Sequence, residues 1–173
     1  MIKALTPLLI FLAIIVSIIL IVGKIQSPEF EGQLEVEVPD RRNVVWGAVT
    51  DVTRIPYIKR DVEQVEILSN NRGLITWREN LKRGGTRTYV TLEKKEPFLY
   101  TIELINSTSG ITGTWTYVMK TTENGTLITL HERSITKNVW IRGINKFRGR
   151  DNNLIVLIKS LRVALFRNLI DTP

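Results

Sequence analysis

A chain of 173 residues is long enough to bury a core in one domain without covalent help, and its lack of cysteine excludes a disulfide scaffold and a thiol nucleophile. A single histidine leaves no ligand set for a His/Cys metal site, and nothing in the sequence calls for a cofactor. The 24 basic and 17 acidic side chains give a formal net charge of +7.

The first element is an uncharged run from Ala4 to Gly23, bracketed by Lys3 and Lys24. As a helix it spans about 30 Å, the thickness of a bilayer's hydrocarbon core. It ends Leu20-Ile21-Val22-Gly23, so cleavage after Gly23 would put Ile21 where a signal peptide needs a small residue. Residues 1–24 therefore read as one uncleaved transmembrane anchor, with a cleaved signal and a buried core helix as the alternatives. Lys3 and the α-amino group stand on one side; on the other, Lys24 is followed by Glu29, Glu31, Glu35 and Glu37. This bias puts the N-terminus inside and the remaining chain on the outer, periplasmic or extracellular, face. Asn106-Ser107-Thr108 and Asn124-Gly125-Thr126 match the glycosylation sequon, which matters only in a eukaryotic host.

Residues 25–32 read as a tether, and 33–173 as one domain. Leu34 to Val38 alternates as a half-buried strand does, and Pro39 stops it. Asp40 is placed to cap a helix whose apolar positions are Val44, Val45, Ala48, Val49 and Val52, with Trp46 packing it onto a sheet. Pro56 breaks that pattern, leaving a turn or a second short helix over 53–60.

From Asp61 to Lys137, β-branched and aromatic runs are separated by turn residues such as Asn70-Asn71-Arg72-Gly73, Gly84-Gly85 and Glu123-Asn124-Gly125. Six strands are expected, near 61–69, 73–81, 86–95, 98–106, 113–122 and 126–137, in an antiparallel meander. Val139, Trp140, Ile144 and Phe147 suggest a short amphipathic helix. Leu154, Leu157, Ile158, Leu161, Leu165 and Leu169 then define a long helix, its apolar face widened by Ile155, Val156, Val163 and Phe166. Lys159 and Arg162 argue against a second membrane span, so this mostly buried helix must lie on the inner face of the sheet.

Strand, two short helices, six-stranded meander and long C-terminal helix is an α+β order that resembles the START-related helix-grip superfamily (SRPBCC), which includes polyketide cyclases and lipid-transfer domains. The resemblance covers roughly Gly32 to Asn168. It rests on Leu34 to Pro39, Val45-Trp46 with Asp51 and Pro56, Val62 to Leu68, Gly113-Thr114-Trp115 followed by Gly125-Thr126, and the terminal helix. It implies a curved antiparallel sheet of about seven strands wrapped on the long helix, with an apolar cavity between them. The helix over Val139 to Phe147 departs from the simplest form of that pattern.

Catalytic chemistry is sparse. His131 is either a surface residue or a base lining the cavity, and Glu79, Glu103 and Glu132 serve as acids or bases only if they point inward, whereas strand charges mostly face solvent. Gly84-Gly85 lacks the residues of a phosphate-binding loop. Aromatic residues are more informative. Phe98, Tyr100, Ile102 and Leu104 share a strand face by alternation, as do Trp115, Tyr117 and Met119, and Ile75 with Trp77. Trp77, Tyr100, Trp115, Tyr117, His131, Leu161 and Leu165 are the candidate ligand-binding residues.

Arg142 to Arg167 holds seven basic residues and only Asp151 as acid. In a membrane-tethered domain this excess suits anionic headgroups or a solvated face; nucleic acid is not favoured. The expected function is membrane-anchored binding of a lipid or other hydrophobic small molecule, without a metal or cofactor. The alternatives are a cyclase or dehydratase-type enzyme and a membrane-localised protein-interaction module whose partner the sequence does not name.

Overall fold

The computed structural model describes residues 2–149 and 152–170. Helix α1, Ile2–Ile25, contains the window Pro7–Ile25 with a mean hydropathy of 3.0 and 6% of it buried. By length and composition alone this helix is long and apolar enough to cross a membrane, a test that a signal sequence also passes.

Strand β1 runs Glu29–Val38, so the connection to it is Gln26, Ser27 and Pro28 rather than the tether expected over 25–32. Alternation extends back from Leu34 through Gly32 to Phe30. Gly32 hides it, because the Phe30 ring covers the place where a side chain would stand, 2.7 Å from an added Cβ.

Helix α2, Arg42–Thr50, buries Val45, Trp46 and Ala48 and leaves Val44 exposed. Its cap is Arg41 with no side-chain bond, not Asp40, whose carbonyl instead accepts the Thr126 hydroxyl at 2.7 Å. Asp51 accepts from the backbone N–H and hydroxyl of Thr53 and so opens a 3-10 turn at Val52–Arg54. A four-residue helix, α3 (Ile55–Ile58), follows, with Pro56 in the first turn where its missing N–H costs nothing.

The six predicted strands are all present as β2 (Val62–Asn71), β3 (Leu74–Leu81), β4 (Thr86–Lys95), β5 (Leu99–Ser107), β6 (Ile111–Thr122) and β7 (Gly125–Thr136). They form one antiparallel sheet in the order β1-β7-β6-β5-β4-β3-β2. The meander is sequential, and β1 closes onto its last strand, pairing Leu34 with Leu130 and Val38 with Thr126. Bulges break the register of β2 against β3 and of β4 against β5, where the sheet bends. Two glycines permit close backbone approach: an added Cβ at Gly113 (φ 153°) would stand 2.3 Å from the Arg133 carbonyl oxygen, and at Gly125 (φ 146°) 2.1 Å from that of Val38.

Helix α4, Val139–Arg148, is capped by Asn138, whose Oδ1 accepts from the N–H groups of Trp140 and Ile141. It packs on α1 through a glycine pair, Gly23 against Val139 and Gly143, and Gly143 against Ile19. Helix α5, Asn152–Ile170, buries Leu154, Ile158, Leu161 and Leu165, a spacing of four, three and four that forms one stripe. It touches α2, α3 and β1. Among the described side chains Leu157 is partly buried beside that stripe, whereas Ile155, Val156 and Val163 are exposed, so this part of the helix is less buried than its composition suggested. The side chains of Phe166, Arg167 and Leu169, and Arg150 and Asp151 as a whole, lie outside the described residues. The architecture is the α+β helix-grip arrangement, a seven-stranded curved antiparallel sheet with a long C-terminal helix, preceded by one apolar helix.

Candidate functional site

Strand alternation sends every second side chain of β3 to β7 to the inner face, and aromatic rings dominate it. Trp77 and Tyr89 face each other across β3 and β4 and stack at 5.1 Å between centroids, 11° from parallel. Tyr89 meets Trp115 edge-on at 6.4 Å. Tyr100 and Tyr117 pair across β5 and β6 at 6.3 Å, and Trp46 of α2 closes on Tyr100 at 6.1 Å and 73°. Quadrupole preferences favour such offset and edge-on contacts.

Six of the seven residues predicted to line the site are buried, among them Trp77 and Trp115 from the sheet and Leu161 and Leu165 from α5. All six belong to one continuous core cluster. His131 is the exception. It sits on the outward face of β7, exposed, between Gln33 of β1 and Thr116 of β6, because alternation turns its neighbours Leu130 and Glu132 inward. It therefore lines no cavity between sheet and helix. Phe98 also leaves the expected row: it precedes β5, is half exposed, and carries the Arg42 guanidinium 4.2 Å from its ring centroid.

Two carboxylates expected to face solvent are fully buried, Glu79 and Glu132. Glu79 accepts from Lys59 Nζ at 2.6 Å and from Arg87 Nη1 at 3.4 Å, and Arg87 Nη2 donates to Asp61 at 2.9 Å. Burial disfavours the Arg87 charge, but Tyr89, Asp61 and Glu79 outweigh it and hold the guanidinium firmly protonated. Glu132 Oε1 accepts the Ser134 hydroxyl at 2.7 Å, opposite Trp115 on β6. The signal for both was parity, since each lies two residues from an inward Trp77 or Leu130. The basic partners of Glu79 come from 20 and 8 residues away and have no local signature.

The aromatic face also meets charge, with Lys59 Nζ 5.4 Å from the Tyr89 ring centroid and Glu132 opposite Trp115. Burial pushes the phenols of Tyr89, Tyr117 and Tyr100 above the usual tyrosine range; Glu79 reinforces this at Tyr89, whereas Lys59 opposes it at Tyr117. Tyr100 shares a hydrogen bond with Thr91 at 3.4 Å. The indole N–H groups of Trp77 and Trp115 are both buried, and neither has an acceptor among the described residues. Buried donors normally find partners, so this pair stands out on the inner face. Outside it, an open groove of about 430 Å³ runs between α3 and β2, lined in part by Tyr57, Val62, Val65, Ile67 and Lys82.

The architecture has solved counterparts. The Zhui aromatase/cyclase from Streptomyces sp. R1128 superimposes with a TM-score of 0.65 at 15% identity, over 80% of this chain and 93% of that one. A START superfamily protein from Mycobacterium smegmatis gives 0.63 at 12% identity, over 80% and 97%. At such identities the likeness is one of fold, and it defines this chain as a helix-grip protein in architecture. No family model matches the sequence, and no curated protein matches it either.

Proposed function

We propose that this domain binds a hydrophobic small molecule, a lipid or a comparable apolar ligand, between the inner face of the sheet and α5, and that α1 anchors it in a membrane. The observation that carries the reading is the pair of buried indole N–H groups of Trp77 and Trp115, which have no acceptor among the described residues, within an aromatic wall. An apolar ligand with a carbonyl or hydroxyl oxygen supplies the missing acceptor, while its hydrocarbon contributes about 25 cal/mol for each Å² buried. The helix-grip neighbours, among them a START protein and an aromatase/cyclase, support the same class of ligand. The charges flanking α1 favour the domain on the outer face of the membrane.

Native mass spectrometry of the full-length protein from membranes in mild detergent, with organic extraction, tests the reading. A stoichiometric lipid or isoprenoid is expected; an empty protein that also fails to respond to fluorescent lipid probes overturns it. Trp115→Phe keeps a ring but deletes the donor, and weakens probe binding about tenfold, the worth of one hydrogen bond.

A second reading, an enzyme of the cyclase or dehydratase type, is favoured by Glu132, a fully buried carboxylate held by Ser134 on the inner face. His131, the other candidate base, is exposed on the outward face and lends this reading no support. On this reading Glu132→Gln abolishes conversion of the extracted ligand while leaving its binding intact. Unchanged conversion removes the role.

A further inference from the structure

We infer that α4 is a membrane-interface helix, seated in the headgroup layer beside the end of α1, with Trp140 and Phe147 against the acyl boundary and Lys146 and Arg148 on lipid phosphates. The inference rests on the reading of α1 as a membrane span and adds a second, independent contact with the bilayer.

Its first support is position. An added Cβ at Gly23 would lie 1.9 Å from the Val139 carbonyl oxygen, and one at Gly143 would lie 2.1 Å from that of Ile19, so the two helix backbones touch. Small residues are what permit such an approach. Arg142 then locks the crossing: its Nε donates to the Gly23 carbonyl at 2.8 Å, and its Nη1 to the carbonyls of Thr136 at 3.0 Å and Lys137 at 3.2 Å. Arg142 and Asn145 also line a cleft of about 20 Å³ with Gln26, Ser27 and Phe30. On the N-terminal side the partners of α4 all fall between residues 19 and 30, around the end of the apolar run, where hydrocarbon gives way to headgroups.

The second support is chemistry. Trp140, Ile144 and Phe147 recur at four and three residues, one stripe of a helix. Trp140 is 38% and Phe147 64% exposed, a poor arrangement in water and a good one at an interface. From Asn138 to Arg148 there are three basic residues and no acid, which suits anionic headgroups. Ser134, which holds Glu132, lines the same cleft, so this end of the inner face lies beside the membrane.

The cysteine-free chain allows a clean depth measurement. Leu12→Cys, Phe147→Cys and Asn124→Cys, each labelled with a nitroxide, are reconstituted as full-length protein in phosphatidylcholine and phosphatidylglycerol vesicles. Collisions with oxygen and with a water-soluble nickel chelate are then compared. Leu12 is expected at the bilayer centre, Asn124 in water, and Phe147 between them, with nickel access several-fold below that of Asn124. A deep Leu12 with Phe147 as open to nickel as Asn124 overturns the inference and leaves the anchor standing. A Leu12 label in water overturns the anchor and the inference together. Quenching by lipids brominated near the headgroup gives a readout without labels. Trp46, Trp77 and Trp115 are buried, so the quenchable emission belongs to Trp140 and is lost in Trp140→Phe; quenching that survives this change overturns the inference.

Discussion

Lys59→Met lowers the unfolding free energy of the full-length protein in detergent by about 3 kcal/mol, the lower end of the cost of stripping one partner from a buried ion pair. The Glu79 carboxylate has no exposed surface and relies on two cations, Lys59 at 2.6 Å and Arg87 at 3.4 Å. Arg87 stays when Lys59 is removed, which holds the loss to the lower end of that range. It also stays paired with Asp61, so the double variant Lys59→Met with Glu79→Leu strands no buried charge. That variant is expected to recover most of the stability, because replacing a buried pair by apolar groups is close to neutral. Chemical denaturation of the wild type, the single and the double variants measures this. Equal losses in both variants would mean that the lysine stem, not its charge, stabilises the site.

The second large effect is alkaline. A phenol whose folded pKa lies above its unfolded value favours the folded state fully below the unfolded value, near 10, and loses that advantage as pH rises through it. Tyr89 and Tyr117 are both held well above the ordinary range by burial. Unfolded, they ionise near pH 10; folded, they stay neutral. Each therefore costs about 1.4 kcal/mol by pH 11, so the protein loses about 3 kcal/mol there relative to pH 8. Tyr100, shifted in the same direction, adds to the loss. Denaturation from pH 8 to 11, read beside tyrosinate absorbance, gives the slope, and Tyr89→Phe with Tyr117→Phe flattens it. A stability that does not change across this interval contradicts the burial of these phenols.

Strands and their turns were legible because hairpin chemistry is local: Gly84-Gly85 and Glu123-Asn124-Gly125 fix where chains reverse, and alternation between them fixes faces. The same parity correctly placed Trp77, Tyr100, Trp115 and Tyr117 inside. It also pointed to Glu79 and Glu132, but the general tendency of charges to face water outweighed it. Burial of Glu79 becomes intelligible only through Lys59 and Arg87, which the fold brings together and no spacing predicts. His131 lies one step out of phase with the inward Leu130 and Glu132, so its imidazole takes the surface alternative and not a place in a cavity. Asp40 had the right chemistry for a cap, but the turn after β1 gives its carbonyl to the Thr126 hydroxyl and moves the cap one residue on, to Arg41. The seat of α4 on α1 depends on two glycines 120 residues apart in the chain, and neither was conspicuous in its own segment.

The connection between α1 and β1 is Gln26, Ser27 and Pro28, and three residues extend at most about 11 Å. With α1 in a bilayer, so short a stalk fixes the altitude of the domain. On the proposed reading, a ligand bound by the domain would exchange with the leaflet directly beneath and would not be ferried across an aqueous gap to a second membrane. Delivery over distance would require a separate soluble carrier or an acceptor that comes to the surface.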